Sequence, residues 1–252
     1  MTERGMIFNA EMVRAVLEGR KTQTRWIMKV QPGSPNFGLL HITDSTKRAD
    51  IGKYHWAESN ATGTHARSPL FSCPSGAVGD RLWVRETWQV ARETSDAETG
   101  SEYDVFPWDS ELFGDPHEHL NGSARFGIKA GLFYAADGED SNPSVFYDCI
   151  GLDGKLLSEK EIPWRPSIHM PRWASRITLE ITGVRVERLN SMTEQDAISE
   201  GCNGGHGSIP HYIYSATPHE HFRYVWQSIY GADSWQANPW VWVIEFKRVE
   251  VG

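Results

Sequence analysis

Apolar and polar residues alternate along this chain with two different periods. Met12, Val13, Val16 and Leu17 follow the i, i+1, i+4, i+5 spacing of one helix face. Asn9 is a good helix N-cap, Glu11 suits the positive helix start, and Gly19 is a natural stop. These signs predict a first helix that ends just before Lys21. A period of two follows the turn pair Gly79-Asp80, in Arg81-Leu82-Trp83-Val84-Arg85-Glu86-Thr87-Trp88. The same period recurs over 176–189, where Ile177, Leu179 and Ile181 alternate with Thr178, Glu180 and Thr182. Both segments are predicted strands, with shorter ones near 131–135 and 145–147. Thr193-Glu194-Gln195-Asp196 reads as a capping box with Asp in the usual Glu position, opening a short helix that stops at Gly201. Thr217-Pro218-His219-Glu220 is a fuller box with proline at the first helical position. Phe222, Val225, Trp226 and Ile229 form the apolar face of its helix. A nearly continuous apolar run, Trp240-Val241-Trp242-Val243-Ile244-Glu245-Phe246, predicts a final strand.

Two stretches break these patterns. Residues 31–78 are rich in Gly, Pro, Ser, Asn and His and read as an irregular insertion. Residues 89–165 read as a second, acidic and turn-rich over 91–121. The expectation is a single α+β domain spanning 1–252 and interrupted twice.

Composition narrows the class. The 252 residues are 39% hydrophobic and 23% charged, as in soluble globular proteins. No apolar run approaches the roughly 20 residues of a membrane helix, and the N-terminus lacks the basic stretch and apolar block of a secretory signal. Cys73, Cys149 and Cys202 are scattered with no CxxC pair, which points away from a disulfide framework or zinc ribbon and towards a reduced, cytoplasmic setting. The net charge of −8 argues against a general basic surface for long nucleic acid. Tryptophan is abundant, with 11 copies, several beside arginines, a pairing that stacks on planar ligands.

Four features are candidates for chemistry. Lys21 and Thr24 stand together at the helix exit, flanked by Arg20 and Arg25. A threonine hydroxyl becomes a nucleophile beside a base, and a neutral lysine amine serves as one. By spacing alone, a solvated lysine and a threonine opening a strand fit as well. Glu200 sits in the last turn of its short helix, where a carboxylate opposes the helix dipole. It is either an exposed residue tolerating a small penalty or one with a partner elsewhere, such as Lys21. The 163–173 loop holds Trp164-Arg165-Pro166-Ser167-Ile168-His169-Met170-Pro171-Arg172-Trp173, suited to clamping a base or a phosphate, or to plugging a barrel end. The histidines lack zinc spacing, and the glycine-rich 203–207 stretch follows no strand, so neither a metal site nor a phosphate loop is expected.

With these residues in place, the chain resembles a known family. Gly19-Arg20-Lys21-Thr22-Gln23-Thr24 is similar to the signature of ASCH domains, which have a PUA-like mixed β-barrel. Gly79-Asp80-Arg81-Leu82-Trp83-Val84, the strand over 177–189, Leu189-Asn190-Ser191-Met192-Thr193-Glu194 through Glu200, and Val243-Ile244-Glu245-Phe246-Lys247 resemble later family elements in order. Together they span somewhat under half of the chain. The layout that includes the Trp-Arg-Pro loop also resembles a phage and prophage branch. Within the family, the motif is most similar to that of small N4-acetylcytidine amidohydrolases, whose lysine, threonine and glutamate fall on Lys21, Thr24 and Glu200. The resemblance implies hydrolysis of an N4-acyl amide to cytidine and a carboxylate: Thr24 attacks, Lys21 is the base, and Glu200 orients Lys21 or handles the leaving-group proton. It implies a modified pyrimidine nucleoside as partner and no cofactor. Arg25, Trp26, Glu86, Arg165, His169, Arg172 and Trp173 are the candidate substrate-binding residues. The family places an arginine two positions after the threonine, where this chain has Trp26, with Arg25 before it. Alternation along a strand turns Arg25 to the other face, so anchoring passes to Arg165 or Arg172 unless the backbone shifts. A non-catalytic module for RNA or a modified base, and a nuclease on the same barrel, are the alternatives.

Overall fold

The computed structural model describes residues 1–58, 67–95, 103–107, 115–116, 129–137, 146–150, 156–161 and 164–249. The protein is a mixed α+β chain with a largely β core. One open sheet contains β1 (Glu3–Ile7), β2 (Gln23–Ile27), β5 (Arg81–Arg85), β11 (Thr178–Arg188) and β12 (Trp240–Val249), in the order β1-β5-β11-β12-β2. Its α-helices include α1 (Ala10–Leu17), α2 (Glu194–Ser199) and α3 (Pro218–Tyr230).

The helix starts follow the local chemistry. The Asn9 side chain accepts from the Met12 amide at 2.8 Å, and Val13, Ala15 and Val16 are buried. Thr193 and Asp196 form a complete capping box, as do Thr217 and Glu220. On α3, Phe222 and Trp226 are buried, but Ile229, expected on the same face, is 53% exposed, and Tyr230 packs against the core instead. Tyr230 lies four positions beyond Trp226, and their rings are 4.3 Å apart.

The chain divides into two compact units, and it crosses between them within β1 and near the start of β5 and of β11. The first comprises 1–4, 19–82 and 179–249. Its core joins Leu189, Met192, Ala197, Cys202, Phe222, Trp226, Trp235, Val241 and Val243. Strand β2 runs antiparallel to β12 with Thr24 opposite Ile244 and Trp26 opposite Trp242. The 31–78 insertion lies wholly within this unit and is not irregular throughout. It carries the antiparallel pair β3 (Phe37–His41) and β4 (Tyr54–Glu58). Neither FGLLH nor YHWAE alternates cleanly, so periodicity misses both. Tertiary burial makes them strands: Trp56 is fully buried, lies tilted against Trp240 at 5.1 Å and donates to the Val30 carbonyl at 2.9 Å. Tyr54 meets the edge of Trp242 at 5.0 Å.

The second unit takes in 5–18 and 83–178, including the whole 89–165 insertion. The strand expected over 81–88 breaks at Glu86 and Thr87, and a new one, β6 (Trp88–Ser95), begins. It lies between β7 (Tyr103–Pro107) and β8 (Lys129–Tyr134). A separate antiparallel pair is made of β9 (Phe146–Ile150) and β10 (Leu156–Glu161). Strands β8 and β9 match the two short strands expected there. Among the described residues, Trp88, Val90, Met170 and Ala174 form one core cluster of this unit. Among the described residues no helix is long and apolar enough to cross a membrane.

Candidate functional site

The segment after α1 is laced to the end of α2. Gly19, at φ 75°, takes the left-handed conformation that ends a helix. Beyond it, Arg20 Nη1 donates to the Gly201 carbonyl at 3.0 Å, and the Thr22 amide donates to the Ser199 carbonyl at 2.8 Å. The Phe246 amide donates to the Thr22 carbonyl at 2.9 Å, tying the same segment to β12. Between these anchors Lys21 turns inward. Its Nζ lies 2.9 Å from Glu200 Oε2 and 2.9 Å from the Glu200 backbone oxygen. The Lys21 side chain has no solvent exposure and that of Glu200 has 4%.

This pairing resolves the awkward position of Glu200. It is the C-cap of α2, where backbone carbonyls already place negative charge. Lys21 answers both, binding the carboxylate and a terminal carbonyl. A second cation completes the neutralisation: Arg25 Nη1 donates to Glu200 Oε1 at 2.9 Å. Burying ions is unfavourable unless each finds close partners, and here each oxygen of Glu200 has one.

Arg25 is itself held from two further sides. Its Nε and Nη2 donate to Glu187 Oε1 of β11 at 3.1 and 2.6 Å, and Nη2 lies 3.1 Å from Asp196 Oδ1 of α2. Gln23 Nε2 donates to Asp196 Oδ1 at 3.1 Å and to its backbone oxygen at 3.0 Å. Arg185 joins Asp196 at 2.9 Å and Glu187 at 3.2 Å, and also pairs with Glu245. Three cations thus face four carboxylates across β2, β11, β12 and α2. Burial works to lower the Arg25 pKa, but Glu200 and Glu187 outweigh it and hold it above the usual guanidinium value. For Asp196, burial pushes upward, while the Thr193 amide, Gln23, the Thr193 hydroxyl and Arg25 bind the ionised form and keep the carboxyl well below its ordinary range.

Thr24 occupies the opposite face of β2. Gln23 and Arg25 both reach Asp196, so the residue between them points the other way, towards the side of its partner Ile244. Thr24 is 5% exposed, and among the described residues no hydrogen bond joins its hydroxyl to Lys21 or Glu200. Lys21 and Glu200 therefore meet directly, while Thr24 stands next to the pair in sequence without bonding to it. Trp26 shares the Thr24 face and is 37% exposed.

Arg25 is buried among carboxylates rather than offered to a ligand, because its strand position turns it towards Glu187 and Glu200. Glu86, in the second unit, is 1% exposed, and both its oxygens accept from Arg176 at 3.0 Å. Burial raises the Glu86 pKa, with Arg176 pulling the other way. In the 163–173 loop, Arg165 pairs with Trp88 through two backbone hydrogen bonds, and its guanidinium lies 5.2 Å over that ring. Trp173 meets Trp88 edge-on at 5.7 Å, and Arg172 donates to the Thr178 hydroxyl at 3.0 Å. His169 is exposed in a short 3-10 turn. Met170 of this loop and Ala174, just beyond it, join the same buried cluster as Trp88.

Sequence reasoning missed Gln23, Arg185, Glu187, Asp196 and Glu245 as members of the network. The available signal was alternation: Gln23 and Arg25 share one face of β2, and Arg185 and Glu187 share one face of β11. Such charge pairs usually mark a solvated face, and nothing local says that helices cover this one. Among the described residues no group of three or more His, Cys, Asp or Glu is arranged to hold a metal ion. No protein-family model matches this chain, and no curated protein or solved structure matches it either.

Proposed function

We propose that this chain is an amidohydrolase that cleaves the N4-acyl amide of an acylated cytidine or cytosine, releasing the amine and a carboxylate. Its open sheet and covering helices are, on this reading, an elaborated PUA-like ASCH fold. One observation carries the proposal. Lys21 and Glu200, 179 positions apart, are joined at 2.9 Å in a buried pair, and Thr24 is the second residue of the strand that follows Lys21.

The reaction balances as follows. The Lys21 ammonium first passes a proton to Glu200 Oε2 across their hydrogen bond, and the free amine then takes the Thr24 proton as Thr24 Oγ attacks the acyl carbon. Lys21 then delivers a proton to the N4 nitrogen as the C–N bond breaks. Water attacks the acyl-threonine ester with Lys21 again as base, Lys21 returns that proton to Thr24 Oγ as the C–O bond breaks, and the acid leaves as its carboxylate with one proton released to solvent. Substrate binding must bring the Thr24 hydroxyl into reach of Lys21. Catalytic hydrogen bonds often tighten only in the complex.

The missing Thr24 bond favours a second reading, a module that binds a modified base without cleaving it. Mixing purified protein with N4-acetylcytidine and following the ultraviolet spectrum separates the two. The hydrolase reading expects cytidine to form, and Thr24→Ala and Lys21→Ala each to abolish turnover in folded protein. Binding with no cytidine formed from several N4-acyl cytidines, at high protein concentration, would overturn it.

A further inference from the structure

We propose that Arg25 is a positioning residue that fixes Glu200 in the rotamer presenting Oε2 to Lys21. This rests on the reading of Lys21 and Glu200 as reacting groups and adds what holds them in register. The terminal torsion of a glutamate is broad, and a carboxylate with one partner turns freely about it. Here Nη1 of Arg25 takes Oε1 at 2.9 Å, leaving Oε2 to Lys21 at 2.9 Å. Arg25 cannot follow if Glu200 rotates, because Glu187 binds its Nε and Nη2 and Asp196 lies 3.1 Å from Nη2. Asp196 is fixed in turn by Gln23 and by the Thr193 capping box. The Phe222 ring of α3 lies 6.0 Å from the guanidinium carbon. The direction of one carboxylate is thereby tied to β2, β11 and α2.

Three features mark this as positioning rather than substrate contact. The Arg25 side chain has no solvent exposure. Its donors are directed at three carboxylates. It lies on the face of β2 opposite Thr24, where the acyl group is attacked. Lysine cannot reproduce the arrangement, because a single ammonium on a flexible stem does not offer the planar fork that spans three acceptors.

The test uses the full chain carrying Arg25→Gln, Arg25→Lys or Glu187→Gln, with folding checked by circular dichroism. Two quantities are read. For N4-acetylcytidine hydrolysis, Arg25→Gln is expected to lower kcat about 100-fold with KM within about 3-fold, as for a reacting group displaced by an ångström or so. Glu187→Gln, which loosens Arg25 without removing it, is expected to lower kcat about 10-fold on the same argument. The second reading needs no turnover: the ¹H–¹⁵N signal of the Lys21 ammonium, assigned by its loss in Lys21→Arg. It is expected to be sharp in the native chain, broadened in Glu187→Gln and Arg25→Lys, and lost in Arg25→Gln. An unchanged Lys21 signal in Glu187→Gln and Arg25→Lys overturns the proposal even if Arg25→Gln does not fold. A raised KM at constant kcat overturns it in favour of substrate contact. If the native chain hydrolyses nothing while the Lys21 signal still follows Arg25, the amidohydrolase reading falls and the positioning role stands.

Discussion

Replacing Glu200 with glutamine removes one negative charge from between two buried cations while keeping the side chain's shape. Arg25 retains Glu187 and Asp196 in the variant, but Lys21 meets a neutral amide where the carboxylate stood 2.9 Å away, beside the Glu200 backbone oxygen. Its side chain has no exposure, so water cannot replace the lost counter-ion. Stripping one partner from a buried ion pair costs about 3–5 kcal/mol. The helix terminus that Lys21 still caps retains roughly 0.3–1 kcal/mol of favourable interaction, which places Glu200→Gln near the bottom of that range, at about 3 kcal/mol. At about 2–4 °C per kcal/mol for a chain of this size, the melting midpoint should fall by roughly 6–12 °C. Lys21→Met leaves Glu200 with Arg25 and should cost less, about 2 kcal/mol. The discriminating measurement is the double variant in urea unfolding at neutral pH. If the two charges stabilise each other, it loses about 2 kcal/mol less than the sum of the single losses. Strictly additive losses, or a Glu200→Gln variant within about 0.5 kcal/mol of the native chain, would refute the buried-pair reasoning.

Two further outcomes test other parts of the fold. Gly204 has φ 69°, and a Cβ there would stand 2.4 Å from the Ala216 carbonyl oxygen, so Gly204→Ala should destabilise by about 1–3 kcal/mol in urea unfolding. Gly205→Ala, also at positive φ but with nothing within 4 Å of its Cβ, should cost less, and equal losses would count against the steric argument. Asp80 accepts from the Thr2 amide at 2.7 Å and the Ala77 amide at 3.1 Å, which hold its carboxyl down at about 2. Because the folded pKa is depressed, its contribution is present above the unfolded value of about 3.9 and lost as pH falls through about 2. A carboxyl NMR titration should place the Asp80 midpoint near the lower figure, and an ordinary aspartate midpoint would refute the assignment. Asp80→Asn should flatten the stability profile within that window.

Much of the helix placement is legible in the sequence because caps act over three or four residues. Asn9, Thr193 and Thr217 bind amides three positions on, and the chain alone reveals such pairs. The cores of β11 and β12 are legible for a related reason, since a buried strand needs an apolar pattern along its own length. The β3–β4 pair is not, because Trp56 and Tyr54 become strand residues by meeting Trp240 and Trp242, nearly 190 positions away. Ile229 and Tyr230 exchange places for the same kind of reason: helical spacing allows either to face inward, and packing selects one.

At the candidate site, the sequence by itself singled out Lys21, Thr24 and Glu200, and strand alternation alone turned Arg25 away from the Thr24 face. It also showed Glu200 poorly placed at a helix end, either tolerated in solvent or partnered elsewhere. Only the tertiary structure decided which cations answer it, and that Lys21 and Arg25 do so together, each on its own oxygen. It alone gathered Glu187, Asp196 and Arg185 around Arg25, and it left Thr24 without a bond to Lys21 or Glu200. The reason is that caps and alternation are properties of neighbouring residues, whereas an ion pair depends on distance in space. Lys21 and Glu200 are 179 positions apart along the chain and 2.9 Å apart in the fold, and no local pattern encodes that meeting.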